Sequence, residues 1–305
     1  MMATITWQKS PKNPLPSLGA EPGTWRADAS MTVDVLPRDD HLQIFYVGTK
    51  DGHDSIGIAT NSREGFDGTG WTDYATNPVL SPGEPGSYDS THIVDPACVE
   101  LEGRVYLYYS AIGDGPDSIG LAISDDGLQF EKEQNPVLVG RAPEAVLVND
   151  AVYMLYSLNH PNGGYAFHLA TSPDGKQFRE EGLVFAPAGE DWDGFSVVTP
   201  RVFHEDGIFV MTYAGDDEEK DYPKSFGLAF SRDMRSWVRY PDNPVLSGGP
   251  PGSWDWRAVW YAEILKYGDR YYMWYEGYNE KKSEVGLAVS DSPIIEIARS
   301  VLDAS

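Results

Sequence analysis

The sequence predicts an all-β chain folded as a five-bladed β-propeller, and three observations predict it. A strand-like segment recurs five times, at Ser55–Ala59, Ser118–Ala122, Ala166–Ala170, Ser225–Ala229 and Glu284–Ala288. An aromatic strand precedes each copy and ends in Tyr46, Tyr109, Tyr156, Tyr213 or Tyr275. The N-terminus repeats a segment whose place after the fifth copy is otherwise empty. Self-similarity of this kind is the signature of repeat architectures, in which each unit buries its apolar face only against its neighbours.

The tyrosine-ending segments read as second strands, half-buried between blades, because aromatic and β-branched residues fit a pleated, packed surface. The recurring segments read as third strands. Turns such as Asp125-Asp-Gly127, Asp174-Gly175 and Arg232-Asp-Met234 follow, and Trp71, Phe130, Phe178 and Trp237 then open polar outer strands. Three outer strands run into Asn-Pro-Val-Leu, at Asn77, Asn135 and Asn243. The copy at Glu284 lacks an outer strand after it, while Trp7–Leu15 repeats the pattern of Trp237–Leu246. Residues 3–15 are therefore expected to complete blade 5, with residues 3–10 paired to Glu284–Ser290. That closure leaves no large open sheet edge and makes residues 1–305 one domain. The innermost strands align at Asp95-Pro96, Ala142-Pro143, Thr199-Pro200 and Tyr261-Ala262. In blade 1 the longer turn Leu36–Asp40 leaves the alignment open.

Composition agrees: the 305 residues include 31 Gly and 22 Pro, a profile of short strands and turns. The formal charge of −24 argues against nucleic acid or an anionic membrane as partner, since either would be repelled. Cys98 is the sole cysteine, so no intrachain disulfide forms. Met1–Trp7 lacks the basic start and apolar run of a signal peptide, and no stretch reaches membrane-spanning length, so a cytoplasmic protein is expected. The six histidines show no metal-ligand spacing, so no metal is expected. There is no glycine-rich phosphate loop and no G-x-S-x-G elbow.

First strands of a propeller crowd around its axis, so their polar residues converge on one pocket. Those residues are Asp28 and Asp34 in blade 1, His92 and Asp95 in blade 2, Arg141 and Glu144 in blade 3, Arg201 in blade 4, and Arg257, Trp260 and Glu263 in blade 5. Carboxylates held apart on separate strands are what glycosidic cleavage requires, one to donate a proton and one to activate water or attack.

Five blades, His92-Ile-Val-Asp95-Pro96-Ala-Cys-Val99 with Gly103–Tyr109 after it, and the recurrent Asn-Pro-Val-Leu resemble the five-bladed propeller glycosidases: the arabinanase and xylosidase group, the invertase and levanase group, and the mannoside phosphorylases. The resemblance covers the whole chain as architecture and its catalytic motifs in part. It implies a base or nucleophile Asp in blade 1, an orienting Asp before Pro in blade 2 or 3, and a proton-donating Glu in blade 3 or 4. Asp95-Pro96 matches the orienting aspartate. Asp28 takes the blade 1 role, with Asp34 as its rival. The implied acid would stand two residues before Pro143, where this chain has Arg141, so the donor passes to Glu144 or to Glu263. Asp28, Asp95 and Glu144 are thus the expected catalytic set. The carboxyls of Asp28 and Glu144 should face each other across the pocket, roughly 6.5–9.5 Å apart for inversion.

Arg26, Arg141, Arg201 and Arg257 neutralise the axial carboxylates or bind an anion through forked hydrogen bonds. Asp89, Asp193 and Asp255 each follow an aromatic residue at one repeated position, which favours holding the loop before the first strand, with a sugar contact as the other reading. Trp256 and Trp260 are placed to stack on a sugar ring. Arg26, Asp34, His92, Arg141, Arg201, Asp255, Trp256, Arg257, Trp260 and Glu263 form the expected substrate-binding set. The preferred function is an exo-acting glycoside hydrolase on a small carbohydrate, arabinofuranosidase-, fructofuranosidase- or xylosidase-like. The alternatives are a mannoside-type phosphorylase and a non-catalytic sugar-binding propeller. No cofactor is expected; an axial cation occurs in some relatives, and no residue here marks one.

Overall fold

A computed structural model describes residues 4–189 and 191–305. The chain is nearly all β. Strand β1 (Gln8–Lys9) is followed by β2 (Ala29–Pro37), β3 (His41–Lys50), β4 (His53–Ser62) and β5 (Thr72–Asp73). Next come β6 (His92–Leu101), β7 (Arg104–Ile112), β8 (Ser118–Ser124), β9 (Glu131–Lys132) and β10 (Leu138–Val139). They lead to β11 (Arg141–Val148), β12 (Ala151–Asn159), β13 (Tyr165–Ser172) and β14 (Arg179–Phe185). After these lie β15 (Ser196–Glu205), β16 (Ile208–Asp216), β17 (Ser225–Ser231), β18 (Val238–Arg239) and β19 (Leu246–Ser247). The chain ends with β20 (Ala258–Tyr267), β21 (Arg270–Tyr278), β22 (Ser283–Ser290) and the helix α1 (Ile294–Ala304).

Pairing sorts these strands into antiparallel runs β2–β3–β4–β5, β6–β7–β8–β9, β11–β12–β13–β14 and β15–β16–β17–β18. The last run, β20–β21–β22, takes its outer strand from the other end of the chain: Gln8 pairs with Val289 and Lys9 with Ala288. The Asn13 side chain accepts from Leu287 N–H at 2.8 Å and donates to Leu287 C=O at 2.9 Å. Asn77 does the same to Ile58 and Asn243 to Leu228, which gives these three asparagines their physical reason, whereas Asn135 makes no such bond among the described residues. Ala3, at the start of the segment expected to complete the last run, lies outside the described residues.

The apolar core falls into five clusters, each between two runs. One joins Phe45 and Ile58 to Leu107 and Tyr109, the next Tyr108 and Leu121 to Met154 and Tyr156, and the third Leu155 and Phe167 to Met211 and Tyr213. The fourth joins Phe226 and Leu228 to Met273 and Tyr275, with Ile5, Trp7 and α1 packed on it. The fifth joins Ile44 and Tyr46 of the first run to Trp274 and Leu287 of the last. Each fully buried large side chain contributes about 1.5–3 kcal/mol, so these interfaces carry most of the stability.

Every first strand also carries one irregularity at one place. Thr32, Asp95, Ala142, Thr199 and Tyr261 have left-handed φ values of 37°, 60°, 49°, 55° and 50°, and each sits in a register break against its second strand. This bulge settles the open alignment of the first run: Thr32 stands where Asp95 does. It follows that Asp34, Glu144, Arg201 and Glu263 occupy one equivalent position, two residues further along. Bulges of this sort turn a side chain out of the ladder and mark functional surfaces.

Candidate active site

The five bulges surround a pocket of about 420 Å³ whose walls come from all five runs. Asp95, 5% exposed, lies at its second-run bulge and lines this pocket. Its carboxylate is hydrogen-bonded to the Tyr261 side chain, and burial followed by that negative charge keeps the Tyr261 hydroxyl protonated, hence a donor. Arg141 reaches the same pocket and lies between two carboxylates, Asp117 at 3.5 Å and Asp221 at 3.6 Å, while donating to the Tyr165 hydroxyl at 3.2 Å.

Two further carboxyls line the pocket with raised proton affinity. Burial pushes Glu276 up to about 7, against the hydroxyl donors Ser283 and Thr32, and the charge of Asp95 adds to the rise. Ser283 donates to one Glu276 oxygen at 2.6 Å and Thr32 to the other at 2.8 Å. Burial likewise pushes Asp221 up to about 6, with Arg141 opposing and Asp95 adding. The Asp221 side chain is 41% exposed, so solvent tempers that shift more than it does for Glu276. Carboxyls whose surroundings separate their proton affinities are the arrangement that acid–base chemistry uses.

One wall is aromatic. Trp260 lies 5.8 Å from Tyr222 and 6.0 Å from Tyr278, ring centre to ring centre. Arg257 stacks 4.4 Å over Tyr222 and pairs with Glu219 at 2.7 Å, so it braces this wall from outside the pocket. On the opposite side, His92 Nδ1 meets Asp54 Oδ2 at 2.8 Å, and the same two residues form a parallel backbone bridge between the first and second runs.

Below the pocket lies a buried charged layer. Arg201, 1% exposed, stacks 4.8 Å under the Tyr261 ring and donates to Glu144 at 3.2 Å and to the carbonyls of Pro143 and Pro96 at 3.0 and 2.9 Å. Its Nε stands 3.6 Å from Glu263, and Cys98 N–H donates to Asp34 at 2.7 Å. Burial raises the proton affinity of Asp34, Glu144 and Glu263, with Arg201 opposing in each case. Oxygens of these three carboxyls lie within 4.8 Å of one another. The Arg201 guanidinium supplies the positive charge that this cluster of three carboxyls faces.

The structure therefore brings together Asp95, His92, Arg141 and Trp260, and separates the rest. Asp28 is exposed, accepts from Asp51 N–H at 2.8 Å and is not a lining residue, so it cannot face Glu144 across the pocket. Glu144, Asp34, Glu263 and Arg201 stand in the layer beneath and are not among the residues lining the pocket. Arg26 is 5% exposed and bound to Glu21 at 2.7 Å and Asp73 at 3.1 Å, away from the axis. Asp255 accepts from the Tyr275 hydroxyl at 3.1 Å and from Lys9 at 2.6 Å, a clamp across the last run. Trp256 is partly buried and does not line the pocket, and Arg257 touches it only through Tyr222. The residues that sequence reasoning passed over are Asp54, Asp221, Tyr222, Glu276 and Tyr278. Glu276 had a signal: it follows Tyr275 where the other runs have Val47, Ser110, Ser157 and Ala214, and it is the one charged residue at that position.

No family model matches the chain. It is 25% identical over 197 residues to a 1,2-β-oligomannan phosphorylase of Thermoanaerobacter sp. (strain X514), covering 58% of this chain and 61% of that protein, so the match spans less than two thirds of the relative. It is 21% identical over 296 residues to a β-1,2-mannobiose phosphorylase of the same organism, covering 72% of this chain and 96% of the relative. The solved β-1,2-mannobiose phosphorylase of Listeria innocua superposes with a TM-score of 0.76 at 16% identity, over 96% of this chain and 99% of that one. A structure from the GH130 family of mannoside phosphorylases, which contains glycoside hydrolases targeting β-1,2-mannosidic linkages, superposes at 0.72 with 16% identity, over 93% and 94% of the two chains. The chain thus shares the β-propeller-like fold of the mannoside phosphorylases and their hydrolase kin.

Proposed function

We propose that the chain is a five-bladed propeller, closed by β1, that cleaves β-mannosidic bonds of short saccharides in the Asp95 pocket. The five antiparallel runs and the core cluster joining first to last support the ring. The convergence of Asp95, Asp221 and Glu276 beneath the aromatic wall of Trp260 carries the functional reading. The wall offers a face for a sugar ring. Asp95 orients and tunes: its charge adds to the burial that holds protons on Asp221 and Glu276, one of which donates to the leaving oxygen, in place of Glu144. Mannosides replace the arabinofuranosides, fructofuranosides and xylosides of the initial reading, because the similar enzymes are named for mannosides. A non-catalytic lectin loses ground, since the lining residues differ from run to run.

The similar phosphorylases support phosphate as the attacking group. Water is favoured by one observation: the pocket lining contains Asp54, Asp95, Asp221 and Glu276 against Arg141 and His92, and Arg141 is already shared by two carboxylates. A phosphate dianion entering there must compete with Asp117 and Asp221 for the guanidinium of Arg141. Incubation with β-1,2-mannobiose, with and without inorganic phosphate, decides the point. Mannose alone in both reactions means hydrolysis, mannose 1-phosphate only with phosphate means phosphorolysis, and no product from either rejects the function.

A further inference from the structure

Attack by water needs a group that takes up the water's proton. Asp221 and Glu276, with raised proton affinity, are suited to donate one instead, and Asp95 is engaged by the Tyr261 side chain. Across the pocket from the Trp260 wall, Asp54 and His92 form a dyad that the acid–base chemistry has not used. His92 Nδ1 meets Asp54 Oδ2 at 2.8 Å, and the Thr49 hydroxyl donates to Asp54 Oδ1 at 2.6 Å, so both carboxylate oxygens are occupied. A carboxylate only accepts, which puts the ring hydrogen on Nδ1 and leaves Nε2 of the neutral ring with its lone pair free. Among the described residues nothing hydrogen-bonds Nε2.

Both residues line the pocket, with side chains 31% exposed for His92 and 14% for Asp54, and the backbone bridge between them fixes their relative position. The exposed His53 ring stands 6.4 Å from that of His92 and is held by the Thr91 carbonyl at 3.1 Å. The dyad is not a repeated clamp. Three residues before the bulge, where the second run has His92, the other first strands have Ala29, Val139, Ser196 and Ala258, none of which can form such a pair. Asp221 is hydrogen-bonded to Trp260 and so belongs to the facing wall. A sugar between the walls has a proton donor on one side and the imidazole on the other, as inverting cleavage requires.

We propose that His92 is the general base that activates water in this pocket, and that Asp54 is the residue that positions it. The water oxygen bonds to the anomeric carbon while its proton passes to His92 Nε2. The bond from that carbon to the leaving sugar breaks, and the leaving oxygen takes the proton of the acid. His92 then gives its proton to solvent, and the acid regains one. This rests on the hydrolytic reading above and names the group that carries it out.

The test is turnover of β-1,2-mannobiose by the full chain and by His92→Asn and Asp54→Asn, without phosphate, in the presence and absence of sodium azide. An asparagine amide nitrogen stands where Nδ1 does, so His92→Asn keeps the bond to Asp54 and removes only the base. Its kcat should fall at least about 100-fold with KM within about 3-fold and the thermal midpoint within about 3 °C. Azide, attacking from the vacated place without needing a base, should raise that rate at least about 10-fold and yield α-mannosyl azide, which the unaltered protein should not form. Asp54→Asn should lower kcat at least about 10-fold at unchanged KM. A retained kcat in His92→Asn, a rise in KM alone, or a loss that azide does not restore overturns the base, and a retained kcat in Asp54→Asn overturns the positioning role. Turnover of the unaltered protein only when phosphate is added also overturns the base and leaves mannoside cleavage standing. No product under any condition overturns both.

Discussion

Arg26 and Asp73 form the sign-reversed counterpart of an ion pair that recurs around the fold. In three other runs an aspartate leading into the first strand meets a cation on the outer strand: Asp89 with Lys132 at 2.5 Å, Asp193 with Arg239 at 2.8 Å and Asp255 with Lys9 at 2.6 Å. Lys132, Arg239 and Lys9 stand opposite Ala122, Ala229 and Ala288, and Asp73 stands opposite the equivalent Ala59. In each case the second-strand tyrosine, Tyr109, Tyr213, Tyr275 or Tyr46, hydrogen-bonds the carboxylate. The pair is thus a clamp from the first-strand loop to the outer strand, and either end can bear either charge.

The swap can be made by design. Arg26→Asp alone should destabilise the chain by about 2 kcal/mol, because it sets a carboxylate beside Asp73 in a mostly buried site. Adding Asp73→Lys should recover at least about 1 kcal/mol of that loss in a double-mutant cycle measured by urea unfolding. An additive double mutant would show that the clamp has no energetic role.

Ring closure rests on β1, and Asn13 isolates its contribution. Asn13→Ala leaves both backbone groups of Leu287 that its side chain satisfies without that partner, at a cost of about 1–3 kcal/mol. Asn77→Ala, which makes the same contacts to Ile58 inside a run of continuous sequence, should cost a similar amount. A negligible effect at Asn13 beside a large one at Asn77 would mean that the N-terminal strand frays in solution.

Much of this fold was legible in the sequence, and the reasons are local. The tyrosines, the third-strand segments and the Trp7–Leu15 copy are set by short-range pattern, and each corresponds to a paired strand. The site was legible only where a first strand supplied it, as with Asp95, His92, Arg141 and Trp260. Sequence spacing showed Glu144 and Glu263 to be equivalent, yet it could not say that two residues along a bulged strand separates a pocket wall from a buried layer. Asp221 and Tyr222 come from the loop between β16 and β17, and Asp54 from the start of a third strand, places where no repeat position announces a role.

Glu276 makes stability depend on pH in a stated direction. Its carboxyl binds its proton more tightly in the folded chain, near 7, than the ordinary value of 4.5. The folded state therefore holds more protons between these values, and stability is full below about 4.5 and falls as pH rises to 7. The difference is on the order of 3 kcal/mol. Glu276→Gln should match the unaltered protein near pH 4.5 and exceed its stability at pH 8, as read by urea unfolding. Equal stability at both pH values would place the proton elsewhere.

The central claim is that Asp95 governs bond cleavage in the pocket at the bulges, and Asp95→Asn tests it most directly. The amide keeps the shape and the contact to Tyr261 while removing the charge that adds to the burial-driven rise of Asp221 and Glu276. Cleavage of β-1,2-mannobiose, measured under whichever phosphate condition supports turnover, should fall at least about 100-fold in kcat/KM, with thermal midpoint shifted by no more than about 3 °C. Full activity with an unchanged midpoint would contradict the account.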